Sequence, residues 1–158
     1  MTIILDNIRS AWNVGSVFRT CDALGAHLVL VGYTPKPTEK NLKLINKTAI
    51  GAENYVQWEY FEHPQEVLAL YPEACHIGLE LTKTSQDIFE FLDLKQAELT
   101  KQNQEIFLWF GNEIHGIAQD LCDKLTHTVH LPMNGKKESL NVSSTVCAAG
   151  YLFYKLKS

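Results

Sequence analysis

Residues 105–117 read EIFLWFGNEIHGI, an unbroken apolar run that ends in Gly111, Asn112 and Glu113. A short run rich in aromatic and β-branched residues, bounded by Gly and Asn, predicts a buried strand followed by a loop. Residues 127–144, HTVHLPMNGKKESLNVSS, likewise join a strand-like segment to glycine and polar residues. In a parallel sheet, ligands bind outside the carboxyl ends of the strands. Both stretches therefore predict a functional site at strand ends.

Strand-like and helix-like segments alternate along the whole chain. The predicted strands are TIILDN at 2–7, HLVLVG at 27–32, YVQWEYF at 55–61, HIGLEL at 76–81, EIFLWF at 105–110 and HTVHLPM at 127–133. Helical patterns occupy about 15–24, 38–48, 64–71, 116–124 and 141–156. This alternation predicts an α/β fold, a mostly parallel sheet with helices on both faces.

Length and composition favour a cytoplasmic protein with one domain. The chain has 158 residues, of which 46% are hydrophobic and 20% charged, as is typical of soluble globular domains. No apolar stretch approaches the roughly 18 residues of a membrane span. The start, MTIILDNIRS, lacks the charged region and the cleavage site of a secretory signal. We therefore expect a single domain over 1–158.

The four cysteines do not indicate a metal site or a disulfide framework. Cys21, Cys75, Cys122 and Cys147 are widely separated and form no C-x-x-C pair. Zinc sites and disulfide-rich domains place cysteines at short, paired spacings. Buried free thiols are the expected outcome, and no metal site is predicted.

The net charge is not that of a protein that binds nucleic acid through an overall positive charge. The formal net charge is −4. However, Lys36, Lys40, Lys43 and Lys47 recur at intervals of four, three and four, so on one helix they would share a face. That face is a candidate for following phosphates, and the alternative is a merely solvated surface.

The usual nucleotide-binding motifs are missing. No G-x-G-x-x-G follows the first predicted strand, and no G-x-x-x-x-G-K-[ST] occurs anywhere. The glycines that could admit a cofactor, Gly111, Gly116 and Gly135, lie in the carboxyl-terminal third. A standard dinucleotide-binding fold is therefore excluded.

Three motifs, in order and without gaps, resemble those of a known family. They are NVGSVFRT at 13–20, FGNEIHGI at 110–117 and LPMNGKKESLNVSS at 131–144, with KTAIGAE at 47–53 similar to the linker before the middle strand. Together they resemble the TrmH (SpoU) family of SPOUT-class RNA ribose 2′-O-methyltransferases. The resemblance covers nearly the whole chain and leaves no separate RNA-binding extension.

The resemblance implies a fold, a cofactor and partners. It implies a SPOUT domain with a deep carboxyl-terminal trefoil knot, a topology that periodicity cannot suggest because knots are so rare. The implied cofactor is S-adenosylmethionine, bound without a metal, and the implied substrate is RNA. A compact chain suits an exposed tRNA loop, so tRNA is favoured over rRNA.

The resemblance also assigns roles to individual residues. Arg19 would activate the ribose hydroxyl that Asn13 positions, although a guanidinium with a pKa above about 12 is a poor base and could instead stabilise the alkoxide or dock a phosphate. Glu113, Ser139 and Asn141 complete the predicted catalytic set. The predicted cofactor-binding residues are Leu79, Glu80, Gly111, Asn112, Gly116, Leu131, Met133, Ser139 and Leu140. The predicted RNA-binding residues are Arg9, Arg19, Lys36, Lys40, Lys43 and Lys47.

Each assignment has a purely structural alternative. Arg19 could form a surface ion pair with Asp22, and Glu113 could be an acidic residue in the first turn of a helix. Ser139 and Asn141 could cap the final helix, and we expect one of them both to cap it and to face the pocket. Two other functions also stay open: an adaptor that keeps the pocket without catalysis, and methyl transfer to a protein or small molecule.

The final helix predicts a homodimer. Between Asn141 and Leu156 apolar residues cover most of its circumference, whereas a surface helix keeps one broad polar face. The sheet can cover one side, and a second copy packed about a two-fold axis can cover the other. The alternative is that other helices of the same chain cover it. The resemblance favours the dimer, with the first and last helices at the interface.

Overall fold

One seven-stranded sheet, in which every described strand pairing is parallel, organises the protein. The computed structural model describes residues 1–102 and 104–157. The strands are β1 (Thr2–Asp6), β2 (His27–Val31), β3 (Trp58–Phe61), β4 (Cys75–Leu79), β5 (Gln86–Asp87), β6 (Ile106–Phe110) and β7 (His127–His130). Their order across the sheet is β3-β2-β1-β6-β4-β7-β5.

Helices cover both faces of the sheet. They are α1 (Ala11–Leu24), α2 (Glu39–Ala49), α3 (Pro64–Leu70), α4 (Ile88–Leu99), α5 (Gln119–Cys122) and α6 (Val142–Lys157), with a short 3-10 turn at Ala52–Asn54. Buried residues of α1, α2, α4 and α6 pack in one core, and those of α3 and α5 pack in a second. The predicted α/β class with helices on both faces is confirmed.

Most predicted elements are present, with shifted ends. Helix α1 begins at Ala11, earlier than predicted, because the Ser10 hydroxyl accepts the backbone N–H of Asn13 and starts the helix there. It ends where Gly25 adopts the left-handed conformation. The helix predicted over 116–124 is wrong in length, since only Gln119–Cys122 is helical.

One helix and one strand were not predicted at all. Helix α4 buries Ile88, Phe91, Leu92 and Leu99, a helical spacing, but its exposed Phe89 and Leu94 obscure that pattern in the sequence. The short strand β5 precedes it, and the Asp87 carboxylate caps the helix by accepting the N–H of Phe89 at 2.8 Å. Within the described parts of the chain, no helix is long and apolar enough to cross a membrane.

Candidate active site at the strand ends

A cavity of about 550 Å³ opens at the carboxyl ends of β4, β6 and β7 and beside the start of α6. Such a volume is typical of small-molecule and cofactor sites. Every residue predicted to bind a cofactor lines it: Leu79, Glu80, Gly111, Asn112, Gly116, Leu131, Met133, Ser139 and Leu140. The sequence motifs on β6 and β7, far apart along the chain, are therefore brought to one cavity.

The loop after β6 is a tight turn that Asn112 holds in place. Its backbone exchanges two hydrogen bonds with Gly116, at 3.1 and 2.8 Å. The Asn112 side-chain oxygen accepts the N–H groups of Ile114 and His115, at 2.9 and 3.0 Å. Its amide group donates to the Asn7 carbonyl and to the Tyr33 hydroxyl. The amide is thus fully used in fixing this turn to the ends of β1 and β2.

Two glycines make that turn possible. Gly116 has φ +67°, a conformation that few other residues adopt, and a Cβ there would also collide with the Glu80 carboxylate. The same carboxylate accepts the N–H of Ile117 at 2.8 Å. At Gly111 a Cβ would collide with the backbone of Gly116 and Ile117. The protein's own backbone therefore approaches Gly111 closely.

Glu113 joins the turn to the start of α1. Its carboxylate accepts the backbone N–H groups of Arg9 and Ser10, at 2.8 and 3.0 Å, and the Asn13 amide at 3.0 Å. Burial raises the pKa of Glu113, but these hydrogen bonds outweigh burial and hold the pKa below its usual value. The predicted alternative, an acidic residue in the first turn of its own helix, is wrong, because Glu113 instead stabilises the amino-terminal end of α1.

Asn141 links the third motif to the first. Its side-chain oxygen accepts the N–H of Ser143 at 2.9 Å and so caps α6, while its amide donates to the Asn13 side-chain oxygen at 3.1 Å. Asn141 also lines the cavity, so it is the predicted residue that both caps and faces the pocket. A continuous chain of hydrogen bonds therefore runs from Glu113 through Asn13 to Asn141.

Both arginines lie outside the cavity lining. Arg19 is exposed on α1, and among the described residues it forms no ion pair, so the alternative pairing with Asp22 is not observed. Arg9 contributes its backbone N–H to Glu113. Asn13 does not line the cavity either and reaches it only through Glu113 and Asn141.

The lysine face of α2 contains three of the four predicted lysines. Lys40, Lys43 and Lys47 are exposed opposite the buried Ile45, which packs toward the sheet. Lys36 is a correction, because it precedes the helix. Its ammonium lies 3.5 Å from the centroid of the Tyr60 ring instead.

Several lining residues were not predicted. They are Leu81, Phe110, Ile114, His115, His130, Glu138, Val142 and Thr145. His130 ends β7, and its Nδ1 lies 2.9 Å from the Ser85 hydroxyl, a contact between residues 45 positions apart that periodicity does not reveal. Its position at a strand end was the available signal.

The lining suits a ligand with an apolar ring and a positive charge. Apolar side chains such as Leu79, Leu131 and Met133 alternate with the carboxylates of Glu80, Glu113 and Glu138. S-adenosylmethionine combines an adenine ring with a sulfonium and an ammonium group, so the residues present fit it. Over residues 1–102 and 104–157 no group of three or more His, Cys, Asp or Glu side chains could hold a metal ion.

Comparisons with known proteins show what this chain is similar to. The sequence model of the family described as "SpoU rRNA Methylase family" matches residues 1–151. A tRNA (guanosine(18)-2'-O)-methyltransferase of Aquifex aeolicus is 26% identical over 155 residues, which are 98% of this chain and 67% of that protein. A 23S rRNA (guanosine-2'-O-)-methyltransferase of Nitrosomonas europaea is 29% identical over 144 residues, 90% of this chain but only 51% of that protein.

A solved structure has the same fold. The crystal structure of a putative RNA methyltransferase from Bacillus anthracis superposes with a TM-score of 0.78 at 22% identity, covering 99% of this chain and 93% of that one. The sheet and helices described above thus match those of that protein along nearly their full length.

Proposed function

Because the chain belongs to the SpoU rRNA methylase family, we propose that it transfers a methyl group from S-adenosylmethionine to a ribose 2′-hydroxyl of RNA, with tRNA as the substrate. The observation that carries this proposal is the chain of hydrogen bonds from Glu113 through Asn13 to Asn141. It joins all three motifs beside a cavity that fits the cofactor. An adaptor that had lost catalysis would have no need to keep these three polar side chains together.

The residues divide the chemistry between them. When bound, S-adenosylmethionine would supply an activated methyl group and leave as its demethylated sulfide. The ribose hydroxyl loses its proton to solvent, so negative charge develops on its oxygen, and that oxygen then forms the new bond to the methyl carbon. The Arg19 guanidinium stabilises the developing charge, while Asn13 holds the hydroxyl in line.

The extent of the matches supports tRNA as the substrate class. The tRNA-modifying relative is matched over 67% of its length, whereas the rRNA-modifying relative is matched over 51%. The lysine face of α2 supplies the cations that a phosphate backbone needs. We place the reaction in the cytoplasm and assign residues 1–158 to one catalytic domain.

Methylation assays test this function. Purified protein is incubated with S-adenosylmethionine labelled in its methyl group and with bulk tRNA, rRNA or protein, and the product nucleosides are identified. Label in a 2′-O-methylated nucleoside of tRNA is expected. Label in rRNA alone would contradict tRNA as the substrate and indicate rRNA instead. Calorimetry in the presence of a metal chelator should show binding of S-adenosylmethionine and of its demethylated product. If the protein bound neither, its proposed enzymatic function would be excluded.

We also propose that the active form is a homodimer. Arg19 is exposed and does not line the cavity of its own chain, so in this proposal a second copy brings its arginine to the ribose that accepts the methyl group. One face of α6 packs inside the chain through Val146, Ala149 and Phe153. The opposite face exposes Cys147, Ala148, Tyr151 and Tyr154. This exposed face would meet its copy about a two-fold axis.

The same helix supports the proposal of a carboxyl-terminal knot. Strand β7 lies on the far side of β4 from β6, yet α6 packs against α1 and β6. The chain between 131 and 141 must therefore cross back past the ends of the central strands. Such a return is what a threaded α6 requires, and we assign it the trefoil topology of the family.

Tyr154→Glu is expected to dissociate the dimer and to abolish methyl transfer while the fold is kept. Tyr154 is 47% exposed, so a charge there is tolerated in the monomer but would be buried unpaired in the interface, at a cost of about 2 kcal/mol or more. Light scattering and activity are measured together. Leu94→Glu is the control, because Leu94 is an exposed residue of α4. It should change neither the oligomeric state nor the activity. A fully active Tyr154→Glu monomer would contradict the proposal.

Phe153 is not a suitable position for this test. Although Phe153 is next to Tyr154 on the same apolar helix, it is only 1% exposed and lies in the core of its own chain. A charge at Phe153 would unfold the protein, and loss of the dimer would then be uninformative.

A further inference from the structure

Trp12 is an exposed indole next to the site. Its side chain is 55% exposed, whereas Trp109 is fully buried and Trp58 is half-buried. Trp12 directly precedes Asn13, whose amide bonds Glu113. This indole is therefore accessible beside a site that the protein has assembled from three motifs, and an accessible indole can stack on a flat aromatic ligand.

Contacts with α2 hold this indole in a basic environment. The Thr48 hydroxyl donates to the Trp12 carbonyl at 2.8 Å, and Gly15 lets the two helices approach because any Cβ there would collide with Ile45 and Thr48. The Lys47 ammonium lies 6.0 Å from the centroid of the Trp12 ring, within the range of a cation–π contact.

Arg19 lies on the same side of α1 as Trp12. The two residues are seven positions apart, which is about two turns or 10 Å along the helix, so they share a face. Helix α2 packs against α1 and exposes Lys40, Lys43 and Lys47. We call this set, Trp12, Arg19, Lys40, Lys43 and Lys47, the basic aromatic surface.

We propose that Trp12 stacks on an unpaired base of the RNA, next to the nucleotide whose ribose is methylated, while the lysines of the basic aromatic surface follow the adjoining phosphates. This inference rests on the proposed RNA substrate and specifies how that substrate is presented. Stacking requires an unpaired base, because the faces of paired bases are already covered by their neighbours in the helix. The surface therefore selects single-stranded segments, such as loops, over duplex RNA.

Charge favours RNA over a second copy of this chain as the occupant. The surface carries four cations, and the one acidic residue in the sequence of α2 is Glu39. Asp22 is exposed farther along α1, two turns or more beyond Trp12. Two copies that packed these lysines against each other would bring like charges together, whereas an RNA backbone neutralises them.

Fluorescence and binding of a short unstructured RNA oligonucleotide test the stacking. Because the other two tryptophans are buried or half-buried, RNA should quench the emission of Trp12, and the quenching should be absent in Trp12→Phe. Trp12→Leu should weaken binding of this RNA by about fivefold or more, and Trp12→Phe by much less. Phe89→Leu, an exposed aromatic on α4, is the control and should leave affinity unchanged. An RNA duplex with the same number of phosphates should bind wild type and Trp12→Leu equally.

Salt dependence separates stacking from charge. Replacing Lys40 and Lys43 by Gln should reduce the slope of log affinity against log salt by about 1.4, since each phosphate contact on a single strand contributes about 0.7. Trp12→Leu should leave the slope unchanged. Equal affinity of wild type and Trp12→Leu for the unstructured RNA would overturn the inference, as would dissociation of Trp12→Leu into monomers. These measurements need no cofactor, so a failure of methyl transfer would be recognised separately by calorimetry with S-adenosylmethionine.

Discussion

Arg19→Ala should lower the rate of methyl transfer by about two to three orders of magnitude without changing the affinity for S-adenosylmethionine. Removal of one group that stabilises a developing oxyanion typically costs about 2.7–4 kcal/mol in the transition state. Cofactor affinity should be kept because Arg19 does not line the cavity. Single-turnover methylation of tRNA gives the rate, and calorimetry gives the affinity.

Two further variants decide what Arg19 does. Arg19→Lys keeps a charge but loses the planar fork of the guanidinium, so partial activity would indicate charge stabilisation. Asp22→Ala, one turn farther along α1, is the matched control. If Arg19 served only a surface ion pair, Arg19→Ala and Asp22→Ala would have the same small effect. Near-normal turnover of Arg19→Ala would show that the arginine is not catalytic.

The strands could be predicted because burial on both faces leaves a continuous apolar signal. In β1, β4 and β6 every residue is buried, which matches the apolar runs in the sequence. Helix α4 could not be predicted, because Phe89 and Leu94 are exposed apolar residues that blur its period. The conformation of the loop after β6 could not be predicted either, since the Asn112 side-chain amide fixes it to Asn7 and Tyr33, which lie just beyond β1 and β2 and come near only in the folded chain.

The cofactor cavity was more predictable than the neighbouring part of the site, where Glu113 and Asn13 would meet the ribose that accepts the methyl group. Its lining residues follow directly on three strands, and parallel strands end at one edge of the sheet, so proximity follows from the pattern alone. The partners of Glu113 lie about 100 positions away, at Arg9, Ser10 and Asn13, and nothing local indicates them. The period of α6 likewise predicted an apolar circumference, but it could not say that Phe153 faces inward and Tyr154 outward.

Gly111→Ala is expected to weaken binding of S-adenosylmethionine by about tenfold or more, which corresponds to about 1.4 kcal/mol. The cause is not a side chain that intrudes on the ligand itself. In the structure a Cβ at Gly111 collides with the backbone of Gly116 and Ile117, so the turn itself must move. That movement displaces the segment that Glu80 and Asn112 hold against the cavity.

Local strain, rather than unfolding, should account for the loss of binding by Gly111→Ala. Overpacking typically costs about 1–3 kcal/mol, which is less than the stability of an ordinary domain, so the protein should stay folded. Thermal unfolding checks this, and calorimetry measures the affinity. Gly135→Ala is the informative comparison, because Gly135 is near the same site but a Cβ there has no atom within 4 Å. If Gly135→Ala and Gly111→Ala weakened binding equally, proximity to the cavity would explain the effect. If Gly111→Ala bound the cofactor normally, the packing of the turn would have no part in binding.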